Sequence, residues 1–153
     1  MSKEIILMLH PTFGVLAILA AVWIFVEALN TGSDNQARIK IASMVLAALM
    51  WLTSLVGGYW YVTFYAVDKS IIMAGPWPFA HSFFMEIKEH LFFALLLIST
   101  YLPIAASGNQ LLANRGARNL LLMLSGLVVL LGLAMEGSGA IVGLGVKMGL
   151  LGR

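Results

Sequence analysis

Four long apolar runs constrain the fold of this sequence more than any other feature. They cover residues 5–29, 39–67, 80–106 and 119–135. A helix of about 17–25 apolar residues crosses a hydrocarbon layer of about 30 Å, and lipid tolerates only helices and closed barrels. Because the runs are too long for barrel strands, they predict helices. We therefore predict an all-α integral membrane protein, folded as an up-down four-helix bundle.

The composition excludes the alternative of a soluble domain. The chain has 153 residues, of which 61% are hydrophobic and 10% charged, and its mean hydropathy is +0.95. A soluble domain of this size buries only about 70% of its unfolded surface, so much of the apolar surface must face lipid. The formal net charge of +2 comes without a basic tract, which argues against nucleic acid as a partner.

Polar residues, glycine and proline separate the four runs and define the domain organisation. The segment Glu136-Gly-Ser-Gly139 predicts the end of the fourth helix, because a helix from Arg118 to the C-terminus would measure about 50 Å at 1.5 Å per residue. The predicted organisation is one membrane domain, residues 1–153, with residues 136–153 as an interfacial tail. The N-terminal run is too long for a cleaved signal peptide, and we interpret it as the first helix.

Charge and cysteine content bear on location and chemistry. The cations nearest to helix ends favour an orientation with both termini outside, and we expect the bacterial inner membrane. These cations are Arg38, Lys40, Arg115 and Arg118. The sequence has no cysteine, which excludes disulfides, iron–sulfur clusters and covalently attached c-type haem.

The three histidines, His10, His81 and His90, are the only imidazoles in the chain. In an up-down bundle they all lie toward the same side of the bilayer. His10 and His90 fall at depths of about 8 and 15 Å from the predicted helix starts. Ionisable groups inside membrane helices are costly and usually mark a functional site in the bundle interior. The sequence therefore predicts one site, near one face of the membrane.

The functional hypothesis is a noncovalent haem b between the first and third helices. His10 and His90 would supply two axial imidazoles, which are good iron ligands. Small residues would leave room for the porphyrin, and polar ones would orient a histidine or contact a propionate. The predicted cofactor-binding set is completed by Gly14, Gly57, Gly58, Trp60, Lys88 and, as an alternative ligand, His81.

Structural interpretations of the same residues stay open. Histidines also form plain hydrogen bonds across membrane bundles, and the stripe Gly14, Ala17 and Ala21 would serve ordinary helix packing. His81 follows a Pro/Trp segment and is more simply explained as a solvated residue at a helix end. A carboxylate–histidine di-iron site around His90 would need more buried carboxylates than the sequence offers.

Short motifs resemble those of small four-helix haem-binding membrane proteins, the copper-resistance-D-like and cytochrome b561-like groups. The motifs are Leu9-His10, Ala20-Ala21-Val22-Trp23, Gly57-Gly58 and Ile87-Lys88-Glu89-His90-Leu91-Phe92. The resemblance implies that His10, Lys88 and His90 belong to a haem or metal region. Because the chain lacks the two opposed histidine pairs of the b561 pattern, it implies one haem on one side.

These features predict electron transfer, with quinol or a membrane or periplasmic redox subunit as the partner. The alternative is an accessory, structural or quinone-associated subunit of a respiratory or photosynthetic complex. A quinone site would favour His81, Trp60 and Tyr61, and an accessory role would use glycines in and just after the fourth helix for close packing. Those glycines are Gly126, Gly132, Gly137 and Gly139. No nucleophile, phosphate loop or catalytic dyad is evident, so enzymatic activity stays open.

Overall fold

A computed structural model describes residues 3–30, 32, 34–107, 111 and 113–152. Four α-helices account for most of them: α1 (Lys3–Leu29), α2 (Gln36–Ala74), α3 (Glu86–Ser107) and α4 (Arg115–Leu151). A six-residue π-helical segment, Ala80–Met85, leads directly into α3. The predicted all-helical fold is confirmed, and four helical segments, of which the third is Ala80–Ser107, are long and apolar enough to cross a membrane. The predicted break at 107–118 lies partly outside the described residues.

The fourth helix differs from its prediction. α4 continues through Glu136-Gly-Ser-Gly139 to Leu151, so the predicted end of the helix at these residues is wrong. A mid-helix glycine costs about 1 kcal/mol relative to alanine, but tertiary packing readily overrides such a preference. Here Gly145 packs closely on Ala80, and Gly149 packs on the backbone of Ile71. These contacts need glycine, and they hold the end of α4 against α2 and the π-helical segment.

The second helix is also longer than predicted. It extends past residue 67 to Ala74 and measures about 58 Å at 1.5 Å per residue. Asp68, predicted to begin a loop, lies inside α2 with its carboxylate 3.5 Å from Lys3 Nζ. Arg38 Nε lies 2.8 Å from Glu27 Oε1 where α1 and α2 meet at their other ends. The two ion pairs thus tie α1 to α2 at both ends.

The helix contacts leave one diagonal of the bundle open. α1 and α3 each pack against both α2 and α4, and α2 also touches α4. Between the described residues of α1 and α3, no two Cα atoms approach within 8 Å. An apolar cluster that includes Ala21, Ile24, Leu46 and Leu121 fills one half of the bundle. The space between α1 and α3 in the other half is where the ionisable residues collect.

Candidate functional site: a polar-ended cavity between α1 and α3

A cavity of ≈ 650 Å³ reaches from α1 to α3 and is lined by all four helices. Most of its wall is apolar, with Phe92, Phe93 and Met135 among the contributors. A smaller space of ≈ 60 Å³ shares several wall residues with it and lies against Leu95 and Val128 of the apolar core. Three ionisable side chains line both spaces: His10, Lys88 and Glu136.

His10 is fixed in orientation by Thr53 of α2. Its Nδ1 lies 2.9 Å from the Thr53 carbonyl oxygen and 3.0 Å from Thr53 Oγ1. The Thr53 hydroxyl donates its proton to the His10 carbonyl oxygen at 2.7 Å, so it can only accept from the ring. Since both groups facing Nδ1 are acceptors, Nδ1 carries the proton in the neutral imidazole. The lone pair of the neutral ring is therefore on Nε2.

Two predicted glycines make room for polar side chains of the site. A Cβ at Gly57 would lie 2.5 Å from His10 Nδ1 and 2.6 Å from His10 Cε1, so the ring rests directly on the α2 backbone. A Cβ at Gly14 would overlap the carboxylate of Glu136. Gly58 lines the cavity, and a Cβ there would meet nothing within 4 Å. Gly57 is thus required by the histidine, whereas Gly58 contributes open wall.

Lys88 and Glu136 bring opposite charges to the cavity from α3 and α4. A Cβ at Gly139 would lie 2.9 Å from Lys88 Nζ, so the ammonium rests on α4 one turn beyond Glu136. Among the described residues, neither side chain has a hydrogen bond or an ion pair within 4 Å. A charged side chain inside a membrane bundle is costly when it has no partner. Such side chains are typical of functional sites.

The structure does not bring His90 to His10. The His90 side chain is exposed, it lines neither space, and its Nδ1 lies 2.7 Å from the Glu86 carbonyl oxygen of its own helix. Lys88, two residues earlier, occupies the cavity-facing side of α3 instead. The two predicted axial histidines therefore do not face a common space.

His81 is neither solvated nor part of the cavity wall. It is 4% exposed and lies in the π-helical segment, where its Nδ1 is 3.0 Å from the hydroxyl of buried Tyr65. Its Nε2 is 3.8 Å from Glu86 Oε1. The interpretation of His81 as a solvated helix-end residue is therefore wrong, because the π-helical segment turns the ring into the bundle.

Aromatic residues of α2 lie between His81 and the cavity. Trp60 lines the cavity wall, but its indole nitrogen is buried and has no hydrogen-bond partner in the described structure. The Tyr61 hydroxyl donates to Glu89 Oε1 at 2.7 Å, and both residues line the cavity.

Among the described residues, no group of three or more histidines and carboxylates is placed to hold a metal ion.

Two site residues lie outside the predicted set. Glu136 was assigned to a helix break, although the rarity of carboxylates inside membrane helices is itself a signal for function. Thr53 carries no such signal, since nothing in the sequence indicates which α2 residue meets His10. Glu136 was therefore within reach of sequence reasoning, whereas Thr53 needed the helix packing.

No protein family profile, curated protein or solved structure matches this chain. Function is therefore inferred from the cavity and the side chains that line it.

Proposed function

We propose that this protein is a membrane-embedded b-type haem protein that transfers electrons near one face of the membrane. His10, which lines the ≈ 650 Å³ cavity, would hold the haem iron there. The observation that carries this proposal is the orientation of His10. Its Nδ1–H donates to the Thr53 carbonyl, which leaves Nε2 with the lone pair in a residue that lines the cavity. Metal-ligating histidines almost always donate their other ring N–H in this way.

The cavity fits such a cofactor in size and in chemistry. Cofactor and small-molecule sites are mostly apolar and measure about 300–1,000 Å³, a range that includes this cavity. Aromatic and thioether side chains of Phe92, Phe93 and Met135 are suitable contacts for a flat macrocycle. The donor set provides one imidazole, from His10, in place of the two predicted from the sequence.

Several residues of the site have a definite role in this proposal. A bound haem supplies one-electron chemistry, with a potential set by the ligand, the hydrogen bonds around it and its burial. Thr53 holds the His10 ring in one tautomer, and Gly57 sets how closely that ring approaches α2. The mostly apolar wall would lower the local dielectric and so strengthen the influence of Lys88 and Glu136 on the site.

The partner is proposed to be quinol, or a redox protein, on the same side as the cavity. We propose an up-down order of helices, supported by ion pairs that join α1 and α2 at both ends, Lys3 with Asp68 and Glu27 with Arg38. The other half of the bundle is filled by the apolar cluster. One haem in one half cannot carry electrons across the bilayer, so donor and acceptor both meet the protein near the cavity. The bacterial inner membrane remains the proposed location.

An accessory or quinone-associated subunit is the second candidate, and one observation favours its quinone form. Trp60 and Tyr61 line the same cavity, as a quinone site would require, although His81 does not. The accessory form has less support, because two of its glycines are used within the chain. Gly126 packs on Phe25, and Gly132 packs closely on Ile18.

A reduced-minus-oxidised visible spectrum of the detergent-purified protein tests the haem proposal. We expect a haem band in the wild type and in His90→Ala, and its loss in His10→Ala. His90→Ala is the matched control, since that side chain is exposed and away from the cavity. Loss of the band in both variants would restore ligation by two histidines. A colourless wild type, purified under conditions that retain cofactors, would contradict the proposal and favour the second candidate.

A further inference from the structure

Lys88 is the one lysine or arginine among the residues that line the ≈ 650 Å³ cavity. Three carboxylates share this wall, and two of them already have partners. Asp68 lies 3.5 Å from Lys3 Nζ, and Glu89 accepts a hydrogen bond from Tyr61 at 2.7 Å. Only Glu136 can balance the ammonium of Lys88 from within the wall.

The geometry keeps Lys88 and Glu136 apart. The ammonium lies next to Gly139 on α4, whereas the carboxylate lies next to Gly14 on α1, a residue that lines the smaller ≈ 60 Å³ space. No ion pair within 4 Å joins them in the described structure. An ammonium in an apolar cavity is costly unless it is paired and hydrogen-bonded. Lys88 therefore offers charge-assisted hydrogen bonds to an acceptor brought by a ligand.

We propose that Lys88 is the anchor for a carboxylate of the cavity's ligand, and that the ligand class is a tetrapyrrole with free propionates. This inference rests on the proposed function, because the cavity's size and its aromatic and thioether side chains are matched there to a porphyrin. It adds that recognition is by the acid group and does not require the metal.

Protoporphyrin IX, which has no iron, and its dimethyl ester test this inference by fluorescence titration of the protein in lipid nanodiscs. We expect Lys88→Met to weaken binding of the free acid about 10-fold to 100-fold, the equivalent of a charged hydrogen bond of about 1.5–3 kcal/mol. Binding of the ester is expected to stay the same. Lys147→Met is the matched control, since Lys147 is exposed on α4 and does not line the cavity. Lys88→Arg keeps the charge and should retain the preference for the free acid.

Equal weakening of acid and ester in Lys88→Met, or no weakening of the acid, would overturn the inference, as would absence of porphyrin binding. Oleate and methyl oleate, titrated in the same way, distinguish a fatty acid as the source of the carboxylate. Lys88-dependent oleate binding without Lys88-dependent porphyrin binding would overturn the assignment to tetrapyrroles. His10→Ala separates this inference from the proposed function. That variant should lose the haem band and still bind iron-free porphyrin through Lys88.

Discussion

Thr53 and His10 are joined by hydrogen bonds in both directions across the contact of α1 with α2. The Thr53 hydroxyl donates to the His10 carbonyl oxygen at 2.7 Å, and the Thr53 carbonyl accepts from His10 Nδ1 at 2.9 Å. The pair fixes both the height of α1 on α2 and the tautomer of the ring. The chemistry proposed for the cavity depends on this arrangement. Because Nδ1 donates its proton to Thr53, Nε2 is the ring nitrogen that is available to a ligand.

Thr53→Val removes the hydroxyl and keeps the shape of the side chain. The Thr53 carbonyl still accepts from the ring, so we expect haem to be retained with about tenfold lower affinity, as for other hydrogen-bond partners of metal ligands. Haem transfer to apomyoglobin measures this. Thr63→Val, at an exposed position of α2, should leave affinity unchanged. An unchanged affinity in Thr53→Val would show that the hydroxyl has no part in orienting His10.

Gly57→Ala places a methyl group 2.5 Å from His10 Nδ1, so the ring must move. We expect the haem band to weaken strongly or disappear, while the protein still elutes as a folded species from size-exclusion chromatography. Gly137→Ala is the control, because a Cβ there meets nothing within 4 Å and the residue does not line the cavity. A normal spectrum in Gly57→Ala would contradict the described seat of His10 against α2.

Gly149→Ala tests the continuation of α4. A Cβ at this position would lie 2.5 Å from the Ile71 carbonyl oxygen, a backbone atom that cannot easily move. We expect a loss of about 1–3 kcal/mol in stability, typical of overpacking, measured as a lower Tm in detergent. Gly143→Ala, where a Cβ meets nothing within 4 Å, should be neutral or stabilising. Equal Tm values for the two variants would favour the loose interfacial tail instead.

Tyr65→Phe leaves Nδ1 of buried His81 without its 3.0 Å partner. A buried polar atom that loses its partner costs about 1–3 kcal/mol, so we expect a lower Tm. The haem spectrum should be unchanged, because neither Tyr65 nor His81 lines the cavity. Tyr59→Phe, at a position that is 56% exposed, is the control for loss of a hydroxyl. A changed haem spectrum in Tyr65→Phe would instead connect His81 to the cofactor.

Hydropathy alone is enough to predict the helical membrane class, because a long apolar run can be recognised without knowing which helices pack against it. It is harder to predict from the sequence which side of each helix faces inward. Lys88 and His90 are two residues apart and point about 200° away from each other at 100° per residue, so one cavity cannot receive both. Intramembrane charge marks either residue as functional. Only the packing of α3 against α2 and α4 decides in favour of Lys88.

The ends of helices are difficult to predict for a related reason. Intrinsic preference makes Glu136-Gly-Ser-Gly139 a reasonable place for α4 to stop. The glycines that argue for a stop are, however, the residues that permit close contact, as at Gly139 with Lys88 and at Gly149 with Ile71. The π-helical segment at Ala80–Met85 likewise interrupts the α-helical rotation of 100° per residue. The side of the helix on which His81 lies therefore cannot be predicted from its spacing to other residues of the third helix.

The missing contact between α1 and α3 leaves a gap on one side of the bundle. Among the described residues, α1 packs on α2 and α4, and α3 packs on α2, α4 and the π-helical segment, so no direct contact of α1 with α3 closes this gap. A hydrophobic molecule dissolved among the lipid tails would pass sideways through that gap. We therefore expect a ligand to reach the cavity from the bilayer after the four helices have inserted.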